Sequence, residues 1–199
     1  MKKVGITGSI GSGKTVICKV FSLLGIPVYN ADDAAKELMN KDAGLKNEIK
    51  KSFGEDIFIP SGKDELLDSK KLASIVFNNP KELSRLNAMV HPAVARDFEQ
   101  WIAKNNNAAY VIKEAAILFE SGAHNNVDVV ILVTSPEALR KQRVLSRDQV
   151  SEKDFDARQA NQWAEDEKRK HADFIITNDE HELVIPQVMT LHQNFLSAI

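Results

Sequence analysis

Cysteine is almost absent from this chain, which contains a single residue of that type, Cys18. A disulfide within the chain is therefore excluded, as is the disulfide framework on which many small secreted domains depend. This composition is typical of a reducing compartment, and we predict a cytoplasmic protein. Cys18 follows Ile17 in a segment of helical periodicity, so we interpret it as a buried structural thiol rather than a nucleophile.

An excess of charge and long apolar runs are also lacking. The 199 residues include 26 Lys and Arg against 28 Asp and Glu, a formal net charge of −2. This balance indicates neither a nucleic-acid surface nor a membrane-binding tail. No stretch approaches the roughly 20 apolar residues of a membrane span. We expect no signal peptide, because Gly8 to Lys14 interrupt the apolar residues near the N-terminus. Nucleic acid and membrane are thus not expected as partners.

Glycine is scarce, yet three of the nine glycines fall within residues 8–15, Gly8-Ser9-Ile10-Gly11-Ser12-Gly13-Lys14-Thr15. This is the pattern Gly-x4-Gly-Lys-[Ser/Thr], whose backbone amides surround a polyphosphate. Its lysine reaches the β- and γ-phosphates, and its hydroxyl can ligate Mg²⁺. A short apolar segment precedes the pattern and an amphipathic segment follows it, which is the strand–loop–helix setting that the motif requires. The alternative is a glycine-rich hairpin turn with an incidental lysine.

Short apolar segments alternate with helical periodicity, which predicts an α/β fold with a five-stranded parallel sheet flanked by helices. We predict strands at residues 2–7, 26–30, 110–113, 128–133 and 173–176. The nearly continuous β-branched run at 128–133 indicates a central strand that is buried on both faces.

The segment between the second and third predicted strands is too long for a single crossover. We predict helices there at 34–39, 43–53, 69–77, 80–90 and 92–103, with a loop at 54–68. We interpret residues 31–104 as a helical substrate-binding insert and 138–171 as a helical lid. The core of this single domain then comprises 1–30, 105–137 and 172–199.

Asp32 follows the second predicted strand, and ligands of α/β folds bind at the carboxyl ends of the strands. A carboxylate there can accept the proton of an attacking hydroxyl during phosphoryl transfer. Alternatively, Asp32 and Asp33 form only the N-terminal cap of the next helix. Position alone does not separate these two interpretations, and Asp33 is the weaker candidate.

Three arginines recur at helical spacing, Arg140, Arg143 and Arg147, which predicts that they share one helix face. Guanidinium groups hold transferring phosphates and stabilise the charge that develops on them. A solvated arginine face with surface ion pairs is the alternative. His91 precedes a proline and either binds a substrate phosphate or simply packs. Because no second His or Cys stands at ligand spacing, zinc is not expected.

Together these features resemble the dephospho-CoA kinase family over the whole chain. The matching segments are residues 6–15, Ala31-Asp32, the run Leu86-Asn87-Ala88-Met89-Val90-His91-Pro92, Ile117-Leu118-Phe119-Glu120, Arg143 and Arg147 with Asp148, Gln162, and residues 172–178. The phosphate loop is common to many kinases, whereas the Ala-Asp, His-Pro and Leu-Phe-Glu segments are more specific in combination.

The resemblance implies a P-loop kinase-like fold and transfer of the ATP γ-phosphate to the 3′-hydroxyl of dephospho-CoA, the last step of coenzyme A synthesis. Asp32 and Lys14 are then the catalytic residues. Thr7, Asp32 and His91 bind the substrate, and Thr15 binds Mg²⁺. The residues assigned to ATP are Gly11, Ser12, Gly13, Lys14, Thr15, Val16, Arg143 and Arg147. We expect a monomer or a weak homo-oligomer with a small-molecule substrate.

The chain departs from the family pattern at two places. Asn30 stands where the family often has Asp, and Glu114-Ala115-Ala116-Ile117 replaces a common Asp-x-Pro-Leu run. Neither change removes a group that the expected chemistry requires.

The sequence disfavours three rival functions. A kinase for a nucleoside monophosphate or another small metabolite is disfavoured by the long insert and by His91-Pro92. A GTP-dependent switch needs a guanine-reading Asn-Lys-x-Asp, which the sequence lacks. A non-catalytic ATP-binding module is disfavoured because every expected reactive group is present.

Overall fold

The computed structural model describes residues 1–62, 64–76 and 79–197. It divides into two compact units, the first formed by residues 1–30 and 102–199 and the second by residues 31–101. Within the described residues, no helix combines the length and apolar character needed to cross a membrane.

The regular elements are numbered along the chain. The strands are β1 (Lys2–Thr7), β2 (Val28–Asn30), β3 (Phe58–Ser61), β4 (Asp64–Leu67), β5 (Tyr110–Glu114), β6 (Val129–Thr134) and β7 (Phe174–Thr177). The helices are α1 (Lys14–Leu23), α2 (Ala31–Lys41), α3 (Ala43–Phe53), α4 (Ser69–Val76), α5 (Pro80–Lys104), α6 (Glu137–Asp148), α7 (Glu152–Gln159), α8 (Glu165–His171) and α9 (Val184–Ser197).

The first unit is built on a five-stranded sheet in the order β2-β5-β1-β6-β7, and every pairing in it is parallel. The predicted fold class is therefore confirmed, and each predicted strand lies within two residues of its observed position. β1 lies between β5 and β6, so the loop that follows it leaves the middle of the sheet at the carboxyl edge, where α/β proteins bind ligands.

One face of this sheet is buried by α1 and α9. Alternate residues of the strands point to that face, as the two-residue period of a strand requires, including Val4 and Ile6 of β1. α1 contributes Ile17, Cys18 and Phe21 to the same cluster, and Cys18 is buried as predicted. This packing fixes the N-terminal end of α1 relative to β1.

The second unit contains an antiparallel hairpin where the sequence indicated only a loop. β3 pairs with β4, with Phe58 opposite Leu67 and Ser61 opposite Asp64. Pro60 and Gly62 suggested breakers, but a proline is tolerated in a two-stranded ribbon, and Gly62 has the positive φ of 66° that a tight turn requires. The expectation of a loop without regular structure was therefore wrong at Phe58–Ser61 and Asp64–Leu67.

A second correction concerns α5, which runs without interruption from Pro80 to Lys104 although Pro92 stands inside it. Two separate helices were expected on either side of that proline. The buried positions continue across it, with Val90 before it and Ala93 and Val94 after it. Burial of one apolar stripe outweighs the single backbone hydrogen bond that Pro92 cannot donate.

Other helix boundaries agree with expectation to within a few residues, except at α2. That helix begins at Ala31, so Asp32 and Asp33 lie in its first turn rather than at an N-terminal cap. The predicted helix at 69–77 is observed as Ser69–Val76, and Phe77 and Asn78 lie outside the described residues. Residues 138–171, which were expected to be helical, contain α7, α8 and most of α6.

Candidate active site

The phosphate-loop sequence forms a compact turn between β1 and α1. Gly11 and Gly13 have φ values of 80° and 94°. Residues other than glycine rarely adopt this backbone region. A Cβ atom on Gly13 would also lie 2.2 Å from the Asn178 amide nitrogen, which itself donates to the Ser12 carbonyl at 2.8 Å. Glycine is thus required here both by the backbone conformation and by the close approach of Asn178.

Lys14 begins α1 and folds back over the loop. Its Nζ donates to the Gly8 carbonyl at 2.8 Å and lies 3.5 Å from the Ser9 carbonyl. The ammonium group is therefore held above the turn at the positive end of the helix, where the local field favours an anion.

A cavity of about 210 Å³ lies over this turn. Its lining includes seven of the eight residues that the sequence assigned to ATP or Mg²⁺: Gly11, Gly13, Lys14, Thr15, Val16, Arg143 and Arg147. Ser12, the eighth, is fully buried beneath the loop. The structure therefore brings the nucleotide-binding candidates of the first unit together around one concave, basic site.

Arg143 and Arg147 are oriented by different partners. Arg143 donates to the Ser135 hydroxyl and to the Asn178 carbonyl, both at 3.2 Å, and pairs with the exposed Glu180. Arg147 forms a two-pronged contact with Asp148, and Arg158 reaches the same carboxylate at 2.9 Å. These guanidinium groups, Arg147 first, hold the pKa of Asp148 below its ordinary value.

Arg140 does not share this arrangement. It is buried and lines a different cavity of about 390 Å³, together with Glu165, Arg169 and residues that follow β6. Its guanidinium donates to the backbone carbonyls of Ser135 and Ile10. All three arginines lie on α6, as the spacing predicts, but the Arg140 side chain holds backbone groups instead of lining the phosphate cavity.

Glu114 is a site residue that sequence reasoning missed. It ends β5 and is buried, and its Oε1 accepts a hydrogen bond of 2.9 Å from the Thr15 hydroxyl. Its Oε2 lies 3.4 Å from the Asn30 amide nitrogen, and the two residues are partners in the β2–β5 register. The two departures from the family pattern therefore meet at one point, next to the phosphate loop.

Cys18 adjoins the same carboxylate. Burial, and to a smaller extent the charge of Glu114, raises the pKa of the Cys18 thiol, which stays protonated and donates to Glu114. Thr15, Asn30 and Cys18 thus all turn donors toward one carboxylate, which fixes its orientation.

The remaining candidates lie elsewhere. Thr7 ends β1, and its hydroxyl is buried without a hydrogen-bond partner among the described residues. Asp32 and His91 belong to the second unit, where Asp32 is in the first turn of α2 and the half-buried His91 is in α5.

This arrangement is that of a P-loop kinase. The phosphate loop and its lysine follow the central strand of a parallel sheet, two arginines line the same cavity, and a carboxylate ends the neighbouring strand. The comparisons with known proteins agree. Residues 2–183 match the sequence model of the family described as dephospho-CoA kinase, CoaE. A dephospho-CoA kinase from Chlorobium chlorochromatii is 38% identical over 179 residues, which cover 88% of this chain and 84% of the relative.

Solved structures give the same result. A dephospho-CoA kinase from Campylobacter jejuni has a TM-score of 0.70 and 30% identity, with 100% of this chain and 99% of the other covered. A Thermus thermophilus protein has a TM-score of 0.82 and 30% identity, with 100% and 97% covered. The chain belongs to the dephospho-CoA kinase family.

Proposed function

We propose how the residues described above carry out the family's reaction, transfer of the ATP γ-phosphate to the 3′-hydroxyl of dephospho-CoA. As a member of that family the protein is a kinase whose phosphate donor is ATP and whose acceptor is an alcohol. The observation that carries the proposal is the basic cavity over the phosphate loop, with Glu114 hydrogen-bonded to Thr15 beside it.

The loop binds the phosphates of the nucleotide. Backbone amides of Gly11 to Thr15 surround the β-phosphate, and the dipole of α1 adds to their attraction for it. Lys14 leaves the Gly8 carbonyl, which it contacts at 2.8 Å. It then neutralises charge on the oxygen that bridges the β- and γ-phosphorus atoms.

The Thr15 hydroxyl and the Glu114 carboxylate suit Mg²⁺, which prefers oxygen ligands and is usually held by one or two carboxylates plus substrate phosphates. When bound, Mg²⁺ would neutralise phosphate charge during transfer. Asn30 and Cys18 keep the Glu114 carboxylate aimed at the loop.

Arg143 and Arg147 contribute from α6. They line the same cavity as the loop and stabilise charge on the γ-phosphate as it moves. We assign residues 138–171 to a lid whose closure over the nucleotide excludes water, which would otherwise compete with the alcohol as acceptor. Arg147 exchanges Asp148 for phosphate oxygens in that step.

Asp32 is proposed as the general base that orients the 3′-hydroxyl and takes its proton at a carboxylate oxygen. Its position supports this, because it follows β2 by two residues and β2 ends at Asn30, the partner of Glu114. Thr7 and His91 are proposed as substrate-binding residues, and residues 31–104 as the substrate-binding insert. We place the enzyme in the cytoplasm as a monomer or weak homo-oligomer, in keeping with its single, buried cysteine.

A coupled assay of ATP consumption tests the function. Turnover with dephospho-CoA as acceptor is expected to exceed turnover with nucleoside monophosphates by orders of magnitude. Comparable or higher turnover with a nucleoside monophosphate would instead favour the rival kinase function.

The base is tested by Asp32→Asn, with Asp33→Asn as the matched control in the same helical turn. Asp33 is exposed and pairs with Lys36 at 3.0 Å. Removal of a general base lowers kcat by about 10²–10⁴-fold. We expect that loss for Asp32→Asn, with ATP affinity unchanged, and near-normal turnover for Asp33→Asn. If Asp32→Asn kept normal turnover, the base would have to be sought elsewhere.

A further inference from the structure

The peptide groups at the tip of the phosphate loop are held from both sides by residues outside the loop. The Ile10 amide donates to Gln162 Oε1 at 2.8 Å. The Ile10 carbonyl accepts from Arg140 Nη1 at 3.3 Å. Ile10 immediately precedes Gly11, the first residue that the nucleotide-binding assignment includes.

Gln162 uses both ends of its side-chain amide. While Oε1 accepts from Ile10, Nε2 donates to the Ala116 carbonyl at 2.7 Å. The amide orientation is dictated by its partners, since the backbone N–H can only donate and the carbonyl can only accept. Gln162 therefore links the loop tip to the turn that follows β5, two residues beyond Glu114.

The segment that carries Gln162 is itself well anchored. Gln162 lies in the connection between α7 and α8, and the next backbone amide, that of Trp163, donates to Glu120 at 2.7 Å. Just before the connection, Gln159 at the end of α7 accepts from Arg140 at 2.8 Å. Both contacts to Ile10 are thus tied to one short stretch of chain, residues 159–163.

We propose that Gln162 is a positioning residue of the phosphate loop, which sets the Ile10 peptide so that the amides from Gly11 onward face the β-phosphate before nucleotide binds. The inference rests on the proposed function of the loop. An amide that is already aimed at its anion needs no reorganisation on binding, so the loss of Gln162 weakens the affinity for nucleoside diphosphate. Affinity for the acceptor substrate is unaffected.

The test is Gln162→Met, a side chain of similar length that neither accepts from Ile10 nor donates to Ala116. Two hydrogen bonds of ordinary strength are removed, and we expect the dissociation constant of ADP, measured by titration calorimetry, to rise about tenfold. The constant for dephospho-CoA is expected to stay within twofold of the wild-type value, and kcat at saturating ATP to fall less than kcat/KM for ATP.

The matched control is Asn161→Leu, which removes a neighbouring exposed amide that donates to the Ala157 carbonyl at 3.1 Å. It is expected to leave both dissociation constants unchanged. An ADP constant within twofold of wild type for Gln162→Met, or a parallel loss of ADP and dephospho-CoA binding, would overturn the proposal. If Gln162→Met does not fold, the test is made with Gln159→Met. That variant removes the hydrogen bond between Gln159 and Arg140, which contacts Ile10 from the other side. A threefold weaker ADP affinity supports the inference, and an unchanged one refutes it.

Failure of this inference is distinguishable from failure of the proposed function. If the inference fails, the wild-type enzyme phosphorylates dephospho-CoA but its ADP affinity does not depend on residue 162. If the proposed function fails, the wild-type enzyme does not phosphorylate dephospho-CoA, whatever the variants show.

Discussion

Lys168 is the most deeply buried charged residue among those that the structure describes, and its replacement gives a sharp test of how α8 is held. Its side chain has 0% exposure, and Nζ lies 3.0 Å from Glu120 Oε1, whose side chain is 12% exposed. The approach is ionic rather than a well-aligned hydrogen bond, and Glu120 Oε2 is buried without a hydrogen-bond partner among the described residues. The carboxylate therefore depends on Lys168 for compensation of its charge.

Lys168→Met removes that compensation and leaves a buried, unpaired carboxylate. Breaking a buried pair in this way costs about 3–5 kcal/mol, whereas removing both charges together is often neutral. For a chain of this size the loss corresponds to a fall in Tm of roughly 10 °C. The double variant Lys168→Met with Glu120→Gln is expected to regain most of it, because the glutamine still accepts from the Trp163 amide without a charge.

The assay is urea unfolding at pH 7 followed by far-ultraviolet circular dichroism, with the two single variants and the double variant forming a cycle. Lys41→Met is the control, since Lys41 pairs with Glu37 at 2.7 Å but both side chains are more than half exposed. Exposed pairs contribute about 0–1 kcal/mol. A loss below about 1 kcal/mol for Lys168→Met, equal to that of the control, would refute the reasoning that burial makes this pair indispensable.

Two further predictions concern α6. Arg143→Met is expected to lower kcat/KM for ATP at least tenfold in steady-state assays. The control Arg169→Met removes a half-exposed arginine that pairs with Glu165 outside the phosphate cavity, and it is not expected to lower kcat/KM in this way. Arg147 and Arg158 hold the folded-state pKa of Asp148 below its ordinary 3.8, so their stabilisation is complete above that pH and is lost as the pH falls through the lower folded value. In thermal unfolding, Asp148→Asn should therefore have a lower Tm than wild type at pH 7. The difference in Tm should disappear below pH 4.

Sequence patterns predicted the sheet well because its strands are short apolar runs between clear helical segments, and the period of such runs reports burial directly. They failed where long-range packing decides the backbone. α5 continues through Pro92 because Val90, Ala93 and Val94 share a buried stripe, and β3 and β4 pair although neither is strongly apolar. At Pro92 the effect of the local breaker is outweighed by burial of this stripe, whereas Gly62 has the backbone conformation that the hairpin turn requires.

The phosphate loop shows the same limit within the site. Its glycines and Lys14 were evident from spacing, because the motif is contiguous. Gln162 and Arg140 contact Ile10 although they lie more than a hundred positions away in sequence. Their side chains bond backbone groups, which every residue has, so no residue type at position 10 indicates these contacts. Arg140 had been grouped with Arg143 by helical spacing, and only its burial separates a group that supports the loop from one that lines the cavity.

Asn30 and Glu114 illustrate why two substitutions that look independent in sequence can be a single physical feature. They are register partners on adjacent parallel strands, so two carboxylates there would face each other beside the phosphate loop and repel. With Asn at 30, an amide donates toward Glu114 at 3.4 Å, and the extra methylene of Glu lets the remaining carboxylate reach the Thr15 hydroxyl at 2.9 Å. The site thereby keeps one fixed carboxylate beside the Thr15 hydroxyl. With Asp instead of Asn at 30, the Glu114 carboxylate would lie beside a like charge.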